Sequence, residues 1–257
     1  MSAKSVGFIG GGRIATVFLG GWSRAGALPG NVVVFDSDAE VSAKLKARYP
    51  DIEIAGLAEA AGQDIVLLAV HPPVVGSVVP LVGPALKADA VLVSLVPKFT
   101  AAKLAEMLGG FRRIVRMIPN AASLVGKGYN PTAFSDVLCG RDCRELGCLF
   151  APLGACVEVP EAQLETYAVL TAQSLTYFWP QIDMLASLAE ASGLSRDESL
   201  KGIEGMLVGA VAALRNSGLT PAEVQDLVPV RPLADEVNAF VGAARPKLAA
   251  VLAKLRA

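Results

Sequence analysis

The stretch Val6-Gly7-Phe8-Ile9-Gly10-Gly11-Gly12-Arg13-Ile14-Ala15 decides the fold. A short apolar run is followed at once by G-x-G-x-x-A, the pattern of a strand that turns into a helix beneath the phosphates of a dinucleotide. Gly10 permits the tight turn, Gly12 leaves the backbone open to a pyrophosphate, and Ala15 lets the helix pack closely on the strand. Arg13 and Ile14 open that helix, whose unpaired N–H groups and positive dipole end favour an anion. A second apolar run, residues 32–35, ends at Asp36, near the offset of the acid that takes the adenosine ribose. Asp36, with Ser37 beside it, favours NAD over NADP, because a carboxylate repels the extra phosphate.

Outward from this turn the chain alternates. Apolar runs at 65–70, 91–96 and 113–117 read as buried strands. Between them, residues 39–48, 71–86 and 100–108 read as helices, the last capped by Thr100. Crossovers of this length imply parallel strands with helices on both faces. Gly126, Gly128, Asn130 and Pro131 suggest a loop or an edge strand, 136–150 a helix and 155–159 a last strand. Beyond Pro160 only helical segments follow, at 161–192, 195–215, 221–227 and from 232 onward, with Ser195 and Glu198 forming a capping box. The expected architecture is α/β. A Rossmann-type doubly wound parallel sheet over residues 1–160 forms the dinucleotide-binding domain, and residues 161–257 form an all-helical domain for substrate and dimerisation.

Composition narrows the function. With 257 residues, the chain can bury two cores; 53% of its residues are hydrophobic, a surplus that suits a buried parallel sheet or an oligomer interface. A net charge of −1 gives no electrostatic case for nucleic acid or an anionic membrane. No run reaches the ~18 apolar residues of a membrane span. The first strand begins almost at once, which leaves no room for a signal peptide. The four cysteines form no C-x-x-C pair, and the single histidine is far from them in sequence, so neither a disulfide scaffold nor a metal site is expected. Small buried hydrophobes describe them better. A cytoplasmic protein with a small-molecule substrate follows.

Ligands of open parallel sheets bind beyond the carboxyl ends of the strands. Those ends carry Gly10–Gly12, Asp36, Val70-His71-Pro72, Ser94 and Pro119-Asn120. His71 has the chemistry of a proton donor, of a cofactor contact, or of a group that only bonds local backbone. The Asn120 amide suits the nicotinamide carboxamide, the substrate, or a turn. Farther on, Thr171, Gln173, Ser174 and Thr176 form a polar cluster next to Tyr177, Phe178 and Trp179. Such a cluster in an apolar helix lines a pocket at the domain junction or packs in a dimer interface.

The chain resembles pyrroline-5-carboxylate reductase. Residues 7–15 are similar to that family's Gly-Phe-Ile-Gly-x-Gly-Asn-Met opening. Leu68-Ala69-Val70-His71-Pro72 resembles Ala-Val-Lys-Pro, with histidine for lysine. Val93-Ser94-Leu95 corresponds to the family's Ser-Ile-Ala-Ala-Gly strand. Residues 116–126 resemble Arg-x-Met-Pro-Asn-Thr-Pro-Ala-x-Val-x-x-Gly, and residues 221–228 resemble Pro-x-x-Leu-x-Asp-x-Val. The family's Ser-Gly-Ser-Gly-Pro-Ala loop is replaced here by Thr171-Ala172-Gln173-Ser174-Leu175-Thr176. Its Ser-Pro-Gly-Gly-Thr-Thr stretch is replaced by Pro229-Val230-Arg231-Pro232-Leu233. Ala172 and Leu175 hinder a carboxylate from approaching the backbone N–H groups, which leaves Gln173 and Arg231 as substitutes.

The resemblance implies a homodimer built through the C-terminal helices. It implies hydride transfer from NAD(P)H, with NADH slightly favoured by Asp36, to the carbon–nitrogen double bond of a cyclic imine, as in proline formation. Asn120 and Ser94 then flank the nicotinamide, and Thr171, Gln173, Ser174 and Thr176 face the substrate. The same hydride chemistry on a keto acid or a deazaflavin, or a dinucleotide-binding regulator without catalysis, are the alternatives.

Overall fold

A computed structural model describes residues 4–256. Strand β1 (Val6–Ile9) is buried throughout and pairs in parallel on both edges, with β2 (Val32–Phe35) and β4 (Ile65–Leu68). Beyond β2 lies β3 (Glu53–Ile54). Beyond β4 come β5 (Val91–Ser94) and β6 (Ile114–Met117), also parallel. The sheet has eight strands in the order β3-β2-β1-β4-β5-β6-β7-β8, so the strand order reverses between β1 and β4. Such a reversal leaves a crevice above the strand ends where ligands of this fold class bind.

The segment read as a loop or edge strand is instead β7 (Gly128–Phe134), antiparallel to β6 and an interior strand, because β8 (Gly154–Glu158) runs parallel outside it. Glycine, asparagine and proline weaken a strand on their own. Here pairing on both sides overrides that weakness, and the Pro131 carbonyl still accepts from Ile118 N–H at 2.9 Å.

Alternation along the central strands divides two cores. Val6, Phe8, Val34, Leu67 and Val93 face α1 (Arg13–Arg24) and one apolar cluster. In that cluster Trp22 stacks on Phe150, with ring centroids 6.3 Å apart, and donates its indole N–H to the Leu149 carbonyl at 2.8 Å. Ile9, Val33, Val66, Leu68 and Leu92 face the other cluster. The helices after the successive strands are α2 (Ala39–Arg48), α3 (Leu57–Ala61), α4 (Val75–Val82), α5 (Ala101–Met107) and α6 (Gly140–Phe150). Asp38 caps α2 and Thr100 caps α5 through side-chain oxygens. The short α3 has no counterpart in the sequence reading.

The chain divides into two compact units, one running to Ala172 and taking back the C-terminal turn from Leu252, the other Gln173–Val251. The first unit thus continues past Pro160, where the sequence places the boundary. Leu164 and Ala168 form a third small core with Ile118, Ala133 and Val159, and Leu255 packs against it.

The helix expected over 161–192 is broken. A 3-10 turn (Glu161–Gln163) leads into α7 (Leu164–Tyr167), then a π-helical segment (Ala168–Gln173), then α8 (Leu175–Ala191). Side chains take carbonyls of this stretch. The Thr171 hydroxyl donates to Tyr167 O at 2.8 Å, and the Asn120 amide donates to Thr171 O at 2.8 Å. Inserted side-chain bonds of this kind are a recognised cause of a local departure from the α-helical ladder. The remaining helices are α9 (Arg196–Asn216), α10 (Pro221–Asp226) and α11 (Ala234–Arg256). The Ser195–Glu198 capping box is formed. No helix among the described residues is long and apolar enough to cross a membrane.

Gly7 is where the sheet and α3 come closest. A Cβ added there meets the Ala60 carbonyl oxygen at 1.8 Å. Backbone has to move to admit it, so Gly7→Ala is expected to lower the unfolding free energy by about 1–3 kcal/mol in urea titrations.

Candidate active site at the carboxyl ends of the strands

The turn after β1 is held by its neighbours. Gly10 has φ +106°, and an added Cβ meets the Ala69 carbonyl at 2.6 Å, so glycine is required both by conformation and by space. Its N–H donates to Phe35 O at 2.7 Å. The Gly11 N–H donates to Asp36 Oδ2 at 2.7 Å, and Asp38 N–H donates to Asp36 Oδ1 at 2.9 Å. Asp36 therefore braces the glycine turn from the end of β2. A half-buried carboxylate in this position keeps free lone pairs for further donors.

Helix α1 begins on this turn. Its N-cap, Gly12, offers no side-chain cap, and nothing lies within 4 Å of a Cβ placed on it. The first-turn N–H groups and the dipole end thus face open space, a setting suited to an anion. Arg13 is exposed, Ile14 half-buried and Ser37 exposed. A glycine turn, an open helix start and a carboxylate at the end of the next strand are groups that fit a dinucleotide.

The other strand ends differ among themselves. Val70 packs close to Gly10, since an added Cβ there meets Val70 Cγ1 at 3.3 Å. His71 is exposed at the end of β4, ahead of a 3-10 turn (Pro72–Val74), and its ring caps no N–H there. Ser94 is buried beneath its own loop, and its hydroxyl accepts from Val96 N–H at 3.4 Å.

Pro119 is half-buried and Asn120 buried. The Asn120 amide is already engaged at both ends. Oδ1 accepts from Ala122 N–H at 2.9 Å, while Nδ2 donates to Thr171 O. Asn120 N–H in turn donates to Asn130 Oδ1 at 3.0 Å, and Ser123 Oγ bonds the same oxygen at 3.1 Å. Asn120 thus joins the end of β6 to the π-helical segment.

The polar cluster of 171–176 is also partly committed. Thr176 donates its hydroxyl hydrogen to Gln173 O at 2.7 Å, as Thr171 does to Tyr167 O. Ser174 stands at the N-cap position of α8. Arg231 is turned to its own segment, bonding Asp226 Oδ1 at 2.9 Å and Gln225 O at 2.8 Å.

The cysteines are less uniform than the reading of small buried hydrophobes. Cys139 and Cys148 are exposed, and Cys143 and Cys156 are half-buried. Desolvation pushes the Cys156 thiol up to about 11, which keeps it protonated and poorly nucleophilic near neutral pH.

One group of charges escaped the sequence reading. Arg116 lies in β6, 2% exposed, on the face shared by Ile114. Its guanidinium donates to Glu161 Oε1 at 3.0 Å and Glu165 Oε1 at 2.6 Å. The same two carboxylates accept backbone N–H groups from the loop after β5, Ala101 N–H to Glu161 at 2.7 Å and Lys98 N–H to Glu165 at 3.3 Å. Arg116 Nε is buried without a partner. The available signal was an arginine inside an apolar strand, which demands a carboxylate. The i,i+4 acids Glu161 and Glu165 supply it.

The family model described as NADP oxidoreductase coenzyme F420-dependent matches residues 5–98, which hold the turn, Asp36 and the ends of β4 and β5. Pyrroline-5-carboxylate reductase of Pseudomonas aeruginosa is 27% identical over 227 residues, 88% of this chain and 83% of that protein. The Escherichia coli enzyme of that name is 26% identical over 228 residues, 88% of this chain and 84% of the relative. Among solved structures, Plasmodium falciparum pyrroline carboxylate reductase with NADP bound superposes with a TM-score of 0.78 at 22% identity, covering 100% of this chain and 98% of the other.

Removing one partner from a buried ion pair strands the other charge. Glu165→Ala is expected to destabilise the chain by about 3 kcal/mol or more in urea unfolding. Glu161→Ala, at the more exposed carboxylate, is expected to cost about 1 kcal/mol or less. Along most of its sequence and across the whole of its fold, the chain resembles the pyrroline-5-carboxylate reductases.

Proposed function

We propose that this chain is an NAD(P)H-dependent reductase of the carbon–nitrogen double bond of a cyclic imine, of the pyrroline-5-carboxylate reductase type. The observation that carries this reading is the braced glycine turn. Gly10–Gly12, the uncapped start of α1 and Asp36 meet at the carboxyl ends of β1 and β2. The similarity of the chain over most of its length to reductases of this name supports the substrate class.

In this reading Gly10, Gly12, Arg13 and Ile14 receive the pyrophosphate, and Asp36 with Ser37 takes the adenosine ribose. Val70, His71 and Pro72 border the path toward the nicotinamide. Ser94, Pro119 and Asn120 stand at the strand ends beside it. Thr171, Ser174 and Thr176 supply polar atoms toward the substrate. The bound dinucleotide supplies the hydride. The chain's part is to hold the acceptor in line and keep water away, which accounts for much of the rate in such reactions. A protonated imine is already activated, so no strong general acid is needed.

The helical unit supports a homodimer. Among its described residues, Met206, Val208, Val211, Leu214, Val237 and Phe240 are exposed, while Ala186 and Ser199 are the buried ones. Apolar surface on this scale marks an interaction face, and the exposed side chains lie on α9 and α11. We place the working enzyme in a reducing cytoplasm.

A second reading, the same hydride chemistry on another acceptor such as a deazaflavin or a keto acid, is favoured by the family model matched over residues 5–98. Turnover separates the two. Purified protein with NADH and 1-pyrroline-5-carboxylate is expected to oxidise the cofactor. Activity only with a keto acid or deazaflavin favours the second reading, and dinucleotide binding without any turnover leaves a regulator. NADH is expected to serve better than NADPH. Asp36→Ser is expected to shift the ratio of kcat/KM values toward NADPH by about tenfold, the effect of one charge-assisted hydrogen bond. Light scattering is expected to give about twice the 26.6 kDa chain mass.

A further inference from the structure

The loop after β5 carries an unusual residue. Lys98 has φ +80°, the one non-glycine residue among the described ones with positive φ. An L side chain there is strained, and such strain persists only where surrounding contacts impose it. Glu165, itself 7% exposed and clamped by Arg116, accepts the Lys98 N–H, while Glu161 accepts Ala101 N–H three residues on. The loop is thereby pulled into one shape. The Lys98 side chain remains exposed, and among the described residues its ammonium makes no hydrogen bond or ion pair.

The position matters. Lys98 follows Ser94 at the carboxyl end of β5, next to β4, whose Leu68 carbonyl accepts Leu95 N–H at 3.0 Å. This is the half of the sheet beyond the reversal, on the far side of β1 from Asp36. The dinucleotide phosphates are served by the start of α1, so the free cation stands toward the nicotinamide end. Glycine takes this φ at no cost, so the lysine adds strain and a charge together.

Two polar groups of the same unit are already committed. The Thr171 hydroxyl hydrogen is donated to Tyr167 O, and the Arg116 guanidinium is paired with Glu161 and Glu165. Resting on the reductase reading above, we propose that Lys98 is the specificity-determining cation that binds the ring carboxylate of the cyclic imine. The Arg116–Glu165 pair positions it by fixing its backbone.

The test uses full-length protein and the variants Lys98→Gly and Lys98→Arg. Lys98→Gly relieves the positive φ, so its Tm is expected to match or exceed that of the parent. Its dinucleotide Kd, read by NADH fluorescence, is expected to stay within about twofold. Its KM for 1-pyrroline-5-carboxylate is expected to rise by about tenfold or more, as loss of a charge-assisted hydrogen bond implies. Its KM for 1-pyrroline, which lacks the carboxylate, is expected to hold. Lys98→Arg is expected to recover most of the loss. Calorimetry of L-proline binding to the NAD-loaded protein gives a readout independent of turnover and is expected to weaken in parallel. Equal change with both imines, no change with either, or a change confined to the dinucleotide Kd overturns the role of Lys98 while leaving the reductase reading intact. A parent protein that neither reduces these imines nor binds L-proline overturns that reading, and the role of Lys98 with it.

Discussion

The close contact between β1 and its surroundings governs the molecule. Backbone oxygens of Ala60 and Ala69 stand where side chains at Gly7 and Gly10 would go. The absence of those side chains lets α3 settle on the sheet and lets the chain turn sharply into α1. Once β1 is seated between β2 and β4, Asp36 reaches the Gly11 N–H and the start of α1 is left uncapped. The open start of α1 is thus a by-product of tight packing around one short strand. Hydrophobic burial on both faces of the sheet stabilises the arrangement, since each central strand sends alternate side chains into the two cores.

A second organising element is charged. Arg116 would be costly in an apolar strand, and its two carboxylates offset that cost only with good geometry. The same oxygens also receive backbone N–H groups of the loop after β5. Stability and site geometry are therefore linked through Glu161 and Glu165. They fasten the segment after Pro160 to the sheet and hold Lys98 in a conformation that lysine does not favour. Asn120 makes a comparable link by drawing the Thr171 carbonyl out of a regular helical ladder.

Much of the first unit was legible from local pattern. Apolar runs of four to six residues flanked by turn residues mark strands on their own, and β1, β2, β4, β5 and β6 fall where those runs lie. Thr100 and Ser195 announce helix starts because a cap acts over three residues. The strand ends that carry Gly10, Asp36, His71, Ser94 and Asn120 follow once the strands are placed. Where the reading missed, the cause was distant. β7 holds a strand conformation because partners lie on both its edges, and the small residues in it carry no such information. The break in the helix after Leu164 depends on Asn120, 51 positions from the carbonyl it takes.

The sequence by itself determined the parallel sheet, the glycine turn, the acid after the second strand and the helical character of the C-terminal part. Each of these rests on interactions within a few residues or on a strict period of burial. Only the tertiary structure decided the place of β7 within the sheet, the π-helical segment, the partners of Arg116 and the strained backbone of Lys98. Those features arise when groups far apart in the chain meet in a low-dielectric interior, where every buried charge and N–H must find a partner. No local pattern says which partner it will be.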